Sequence, residues 1–368
     1  MSPVESQYFA LMRAALWQQP VILEGKPDWE NIMSIAKHHA TEALVADVAS
    51  RLTGDVRPSV EMLRQMKQAM YGNLLNQLEL KRILIQALKA LQAQGIDPVL
   101  LKGFGLARLY PNSNLRQFGD IDLFVGQKQY HQACTVLRGL SGGYNWGDEI
   151  DVGRHYNIEF GHYPMEVHRV SADVTDAKEQ AVYATIEQDG LEEHRQTVDF
   201  EGCYLSLPSK EFMVFFTFFH VWEHFLITGV GWRQLSDVAM TLHAYKGQFD
   251  AEKLRSWLDS MHLMDPWQVF GDLMVDCLRL SVDEMPFYKA THHRRASRLY
   301  DRIMAEGNFR RFRRYKQYRP KGFLAKKVYA FIGVFIDFFE LIPIFPKQAF
   351  RLMFATFKES FSKNFQKK

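Results

Sequence analysis

Two short stretches carry the residue types that could do chemistry: Leu101-Lys102-Gly103-Phe104-Gly105 and Arg116-Gln117-Phe118-Gly119-Asp120-Ile121-Asp122-Leu123-Phe124-Val125. Side chains alternate faces along a strand, so Asp120 and Asp122 point the same way while Ile121 and Leu123 point into the core. Two like-charged carboxylates side by side repel each other, and a cation between them removes that penalty. Magnesium is the natural partner, with manganese as the alternative. It is a hard, oxygen-loving ion usually held by one or two carboxylates, with phosphates and water in its other positions. Taken alone, Asp-Ile-Asp fits a solvated strand edge equally well.

The flanking residues favour the metal site. Pro98-Val99-Leu100-Leu101 reads as a short buried strand running into Lys102-Gly103, where glycine permits a tight turn and a close approach to a ligand. Phe104 to Tyr110 reads as a short helix stopped by Pro111 and the turn formers Asn112, Ser113 and Asn114. A strand, a glycine turn and a helix start form a phosphate cradle. Lys102 would add a point charge and Arg116 a forked donor for phosphate oxygens; both types are also common surface charges. Downstream, His155-Tyr156-Asn157-Ile158-Glu159-Phe160 and Met165-Glu166-Val167-His168 read as two strands joined around Gly161 and Pro164. Placed beside the Asp120 strand, this hairpin would supply Glu166 as a third carboxylate.

The Leu-Lys-Gly turn, the arginine before Asp-Ile-Asp and the later Glu-Val-His resemble the uncharacterised nucleotidyltransferases of the polymerase-beta-like superfamily, a group often found with bacterial surface-polysaccharide genes. The resemblance covers roughly residues 70 to 245. It implies that Asp120, Asp122 and Glu166 are the catalytic residues and metal ligands, and that Gly103 holds a triphosphate. It further implies an attack by an acceptor hydroxyl on the alpha-phosphate of a nucleoside triphosphate, with pyrophosphate leaving. Two departures stand out. The superfamily usually carries Gly-Ser or Gly-Gly where this chain has Lys102-Gly103-Phe104, and the gap from Gly103 to Asp120 is long.

Composition agrees with a folded intracellular protein. At 368 residues, 47% hydrophobic and 24% charged, the chain is long enough for two or three domains with real cores. Cys134, Cys203 and Cys277 lie far apart, which argues against a disulfide scaffold or a zinc knuckle. Residues 1–20 lack the basic start and apolar centre of a secretory signal, so the cytoplasm is the expected location.

The net charge of +3 conceals an asymmetry. Residues 306–368 hold 15 Lys and Arg against 4 Asp and Glu, a balance of +11 that leaves −8 for residues 1–305. This tail opens with Arg310-Arg311-Phe312-Arg313-Arg314-Tyr315-Lys316, continues with the apolar run from Val328, and ends with Phe350, Phe354, Phe357, Phe361 and Phe365 at helical spacing. Basic clusters beside an aromatic-rich helix suit a segment lying in the interface of an anionic membrane. A spanning helix is disfavoured, because the run from Val328 to Phe345 is only about 18 residues and contains Asp337, Glu340 and Pro343. The other readings are packing of the aromatics onto the body and RNA binding, the latter without any recognised RNA-binding module.

Elsewhere the periodicity predicts helices over 6–18, 28–52 and 59–94, and again through most of 209–306. His220-Val221-Trp222-Glu223-His224 matches the His-x-x-Glu-His pattern of one class of zinc peptidases, but no third ligand can be picked out beside it. The resembling family carries histidines on this helix together with an arginine and an aspartate like Arg233 and Asp237. The resemblance therefore implies that His220, His224, Arg233 and Asp237 line the nucleotide or acceptor cleft, or satisfy each other in the lobe interface; His220, Arg233 and Asp237 join Lys102, Gly103 and Arg116 as the expected nucleotide-binding residues. His155 and His168 read as packing or orienting residues.

The expected architecture is α+β: a helical N-terminal lobe over 1–95, a nucleotidyltransferase core of small mixed sheet and helices over 96–206, a helical lobe over 207–305, and a basic aromatic tail over 306–368. The expected partners are a nucleoside triphosphate, an acceptor that is a sugar, a lipid-linked sugar, a protein or an RNA, and the inner membrane surface. The alternative is a catalytically inactive nucleotide-binding or scaffold protein at that surface.

Overall fold

The computed structural model describes residues 1–142, 153–174, 176–290, 292–308, 322, 332–333, 335–336 and 338–353. Four helices come first: α1 (Pro3–Trp17), α2 (Trp29–His38), α3 (Glu42–Ser50) and α4 (Val60–Gln92). Ser2 and Glu5 form a capping box on α1, Asp28 caps α2, and Ser59 accepts the Met62 N–H to open α4 just past Pro58. The single helix expected over 28–52 is two. Ala40 takes a left-handed conformation, φ 55°, the Thr41 N–H turns back to the Ala36 carbonyl, and the Thr41 hydroxyl pairs with Tyr8 at 2.9 Å.

The middle of the chain forms a six-stranded mixed sheet from β1 (Val99–Leu100), β2 (Ile121–Phe124), β3 (His155–Phe160), β4 (Tyr163–His168), β5 (Gln196–Phe200) and β6 (Cys203–Leu207), in the order β3-β4-β2-β1-β6-β5. The hairpin is there: β3 and β4 pair antiparallel from His155↔His168 to Phe160↔Tyr163, across a two-residue turn whose Gly161 has φ 66°. β4 runs parallel to β2 in a register that puts Glu166 beside Asp122. β1 is antiparallel to β2 and parallel to β6. The helix expected over 104–110 is the single turn α5 (Phe104–Ala107). Beyond it Tyr110 is buried and its hydroxyl bonds Asp237, a tertiary contact that takes over from helix propagation.

Helix α6 (Gly126–Leu140) packs on β3 and β4, and α7 (Ala177–Glu187) lies against the helix Ala251–Ser260 of the layer that follows. A second helical layer follows: α8 (Lys210–Ile227), α9 (Trp232–Ala244), α10 (Ala251–Ser260), α11 (Met264–Leu278) and α12 (His293–Glu306). α8 is apolar on nearly every face, as a helix must be when it is buried on several sides. The N-terminal helix packs against this layer. Phe9 of α1 packs edge-on against Trp232 of α9 at 4.5 Å, and the Trp17 indole donates to the Leu278 carbonyl at 2.6 Å.

The described part of the tail packs onto this layer. Phe345 is fully buried against Trp222, Phe225 and Phe270, with ring separations of 5.1, 5.7 and 6.0 Å, and Leu341, Ile344 and Ala349 are buried nearby. The basic run 310–316, the start of the apolar run at 328–331 and the phenylalanines from Phe354 onward lie outside the described residues. Among the described residues, no helix is long and apolar enough to cross a membrane.

Candidate active site

The site is built where β1 and β2 deliver their ends beside β4. β1 hands over through Leu101, whose N–H bonds the Asp122 carbonyl, directly to Lys102 and Gly103. Gly103 has φ 60° and ψ −117°, a conformation that glycine adopts without strain. A Cβ there would stand 3.4 Å from the Phe118 ring and 3.6 Å from the Asp120 carbonyl, so the turn lies directly against the strand that bears the carboxylates.

Asp120, Asp122 and Glu166 each offer an oxygen such that all three lie within 4.8 Å of one another. Asp122 is fully buried, Asp120 is partly exposed at the mouth and Glu166 lies between. Two basic side chains already serve them. Lys102 Nζ lies 3.1 Å from Asp122 Oδ1 and 3.9 Å from Asp120 Oδ2. His168 Nε2 lies 3.1 Å from the same Asp122 Oδ1 and 3.3 Å from Glu166 Oε2. Asp122 Oδ2, although buried, has no hydrogen-bond partner among the described residues. An orphaned buried carboxylate oxygen beside two further carboxylates is an all-oxygen donor set, and it fits a hard divalent cation.

The protonation states follow from the contest between burial and pairing. Burial alone would raise Asp122 and Glu166; Lys102 and His168 outweigh it, holding Asp122 below its usual value and Glu166 at about 2. Burial likewise disfavours the charged forms of Lys102 and His168, but the carboxylates outweigh it and both are raised. His155 completes the surround, 3.8 Å from Glu166 Oε2, with burial lowering its pKa.

A cleft of about 260 Å³ opens in front of these groups, walled by Lys102, Gly103 and Asp120 on the sheet side and by His220, His224 and Arg233 of α8 and α9 opposite. His220, Arg233, Asp237 and Arg116 all line it, but their engagement differs from the forked phosphate donor expected at Arg116. Arg116 is 2% exposed, donates from Nε and Nη2 to the two oxygens of Asp237, and reaches the Gly103 carbonyl from Nη1 at 3.3 Å. Tyr110 donates to the same carboxylate at 2.7 Å. Arg116 and Asp237 thus hold the glycine turn to α9. Arg233 meets Asp237 only at 3.5 Å.

The two histidines of the peptidase-like pattern stack edge to face at 4.2 Å. Burial first, then Lys102, lowers both, His220 well below its ordinary value and His224 to about 4. Among the described residues, neither joins a cluster of three possible metal ligands.

Arg154 and Thr217 were not singled out from the sequence, yet both line the cleft. Arg154 Nη1 stands 3.6 Å from Glu223 and Nη2 donates to the Ser171 carbonyl. Neither residue belongs to a motif, and only the pairing of β3 with β4 and the packing of α8 bring them here.

A mixed sheet flanked by helices, with a strand-to-glycine turn and three clustered carboxylates behind a cleft, has the organisation of a nucleotidyltransferase core. The chain matches the family described as "Uncharacterised nucleotidyltransferase" over residues 25–276, more than half its length, and it belongs to that family. No curated protein matches it. Among solved structures it is similar to the crystal structure of an antigenic nucleotidyltransferase-like protein from Paracoccidioides brasiliensis, at 15% identity, over 55% of this chain and 94% of that one, with a TM-score of 0.33. A likeness that slight bears no weight on the site.

Proposed function

We propose that the protein is a divalent-metal-dependent nucleotidyltransferase that moves a nucleoside monophosphate from a nucleoside triphosphate to a hydroxyl acceptor. The observation that carries the reading is the unpartnered, buried Asp122 Oδ2 within reach of Asp120 and Glu166. Asp120, Asp122 and Glu166 would hold magnesium or manganese, which when bound neutralises phosphate charge and orients the reacting oxygens. His168, fully buried, fixes the Asp122 and Glu166 carboxylates in place. Arg233 on α9 and Arg154 just before β3 offer guanidinium donors to phosphate oxygens in the cleft. A four-residue α5 has little dipole of its own, so the charged side chains and not the helix end would bind the phosphates. Positioning and charge neutralisation then provide most of the catalysis.

The acceptor, a hydroxyl of a sugar, a lipid-linked sugar, a protein or an RNA, and a role in surface-polysaccharide biosynthesis rest on the resemblance alone. The division into lobes at 95, 206 and 305, and a contact of the basic tail with anionic lipid, belong to the same reading.

Thermal shift with each of the four ribonucleoside triphosphates, with and without magnesium, on wild type and Asp120→Asn tests it. Stabilisation that needs both the metal and Asp120 supports the reading and names the base. Absence of stabilisation by every triphosphate overturns it in favour of a scaffold protein.

A further inference from the structure

Lys102 stands against two of the carboxylates that a metal ion would need. Its ammonium lies 3.1 Å from Asp122 Oδ1 and 3.9 Å from Asp120 Oδ2, and its side chain is only 18% exposed. A divalent ion bound to the same oxygens at about 2.1 Å would stand within a few ångströms of that ammonium, where two positive charges repel strongly in a partly desolvated site. The second basic group, His168, has no way out. His168 is 1% exposed and is held by two carboxylates at once, Asp122 at 3.1 Å and Glu166 at 3.3 Å. Lys102 has one. It lines the cleft, carries a flexible four-carbon stem, and leaves Asp122 with His168 as a remaining partner when it moves.

We propose that Lys102 is an internal counter-ion that keeps the carboxylate cradle neutralised until metal and triphosphate arrive together, and then transfers its ammonium from the carboxylates to the phosphates. The consequence is thermodynamic. Metal alone must displace a cation that gives up its contacts with Asp122 and Asp120 for solvent, so it binds weakly. Triphosphate gives the displaced ammonium an anionic partner, so each ligand strengthens the other by the same factor. The inference rests on the nucleotidyltransferase reading and adds a coupling between its two ligands that a lysine at the surface would not produce.

The test is Mn2+ binding followed by electron paramagnetic resonance of the free ion, on wild type and Lys102→Met, with and without a non-hydrolysable triphosphate analogue. Without nucleotide, the variant is expected to bind Mn2+ about tenfold or more tightly than wild type, to bind the analogue more weakly, and to lose most of the mutual enhancement. Lys102→Gln, which keeps a neutral donor for Asp122, is expected to behave alike and serves if the methionine variant does not fold. Mn2+ affinity without nucleotide that is unchanged or weaker in the variants, while wild type binds Mn2+ in the presence of the analogue, overturns the role of Lys102 and leaves the nucleotidyltransferase reading standing. No Mn2+ binding by any form, with or without the analogue, overturns both.

Discussion

Arg116 and Asp237, 121 residues apart, grip each other through two parallel contacts, Nε to Oδ1 at 2.6 Å and Nη2 to Oδ2 at 2.8 Å. The pair joins the segment before β2 to α9 across the cleft, and through Gly103 it also holds the glycine turn. Removing one partner strands a buried charge, so Arg116→Ala is expected to cost about 3–5 kcal/mol in chemical denaturation. Lys102-like point charge is no substitute for the fork, and Arg116→Lys should recover only part of the loss. An Arg116→Ala protein as stable as wild type but weaker for triphosphate would return this arginine to phosphate binding.

Glu223 gives the fold a pH dependence. Burial lifts its carboxyl to about 7, against the opposing pull of Arg154 and Lys102. The folded protein therefore holds this proton more tightly than the unfolded chain, whose carboxyl titrates near 4.5. The contribution is most favourable below pH 4.5, declines as pH rises toward 7 and is flat above. The stability difference between wild type and Glu223→Gln, measured by urea denaturation from pH 4.5 to 8, should change by roughly 3 kcal/mol across that window. Parallel curves would show that the carboxyl is not perturbed.

Phe345 anchors the described part of the tail. Its burial against Trp222, Phe225 and Phe270 makes truncation a cavity in a layer that also supports α8. Phe345→Ala is expected to lower stability by about 3–5 kcal/mol. A change under about 1 kcal/mol would mean that residues 338–353 leave the body in solution.

The basic cluster is a separate matter. Neutralising Arg310, Arg311, Arg313 and Arg314 to glutamine, with Phe345 intact, should reduce co-sedimentation with anionic liposomes by up to about 1 kcal/mol per charge removed and leave the melting temperature unchanged. Undiminished sedimentation would end the membrane reading of the tail.

Zinc offers a check on the histidine pair. Because His220 and His224 lack a third ligand among the described residues, the zinc content of protein equilibrated with the metal should be the same in wild type and His224→Ala. A loss of one equivalent in the variant would revive the peptidase pattern.

Much of the fold was legible in the chain. Alternation at 120–124 and 155–168 marked the strands, Gly161 marked the hairpin turn, and three- and four-residue apolar spacing marked the helices. The misjudged boundaries lie where a tertiary contact overrode a local tendency: Thr41 bonding Tyr8 between α2 and α3, and Tyr110 bonding Asp237 instead of prolonging α5.

What the sequence determined by itself is therefore local: a pair of carboxylates two residues apart on a strand, a glycine at the turn, and histidines one helical turn apart on α8. Tertiary structure decided the partners. It placed Glu166 in register with Asp122, put the Lys102 ammonium between the carboxylates, closed Arg116 onto Asp237 and brought Arg154 to the cleft. The reason is that periodicity reports only which face of an element is apolar, over a few residues. Which charge meets which is set by the cost of burying it unpaired, and that cost arises only when distant segments pack together.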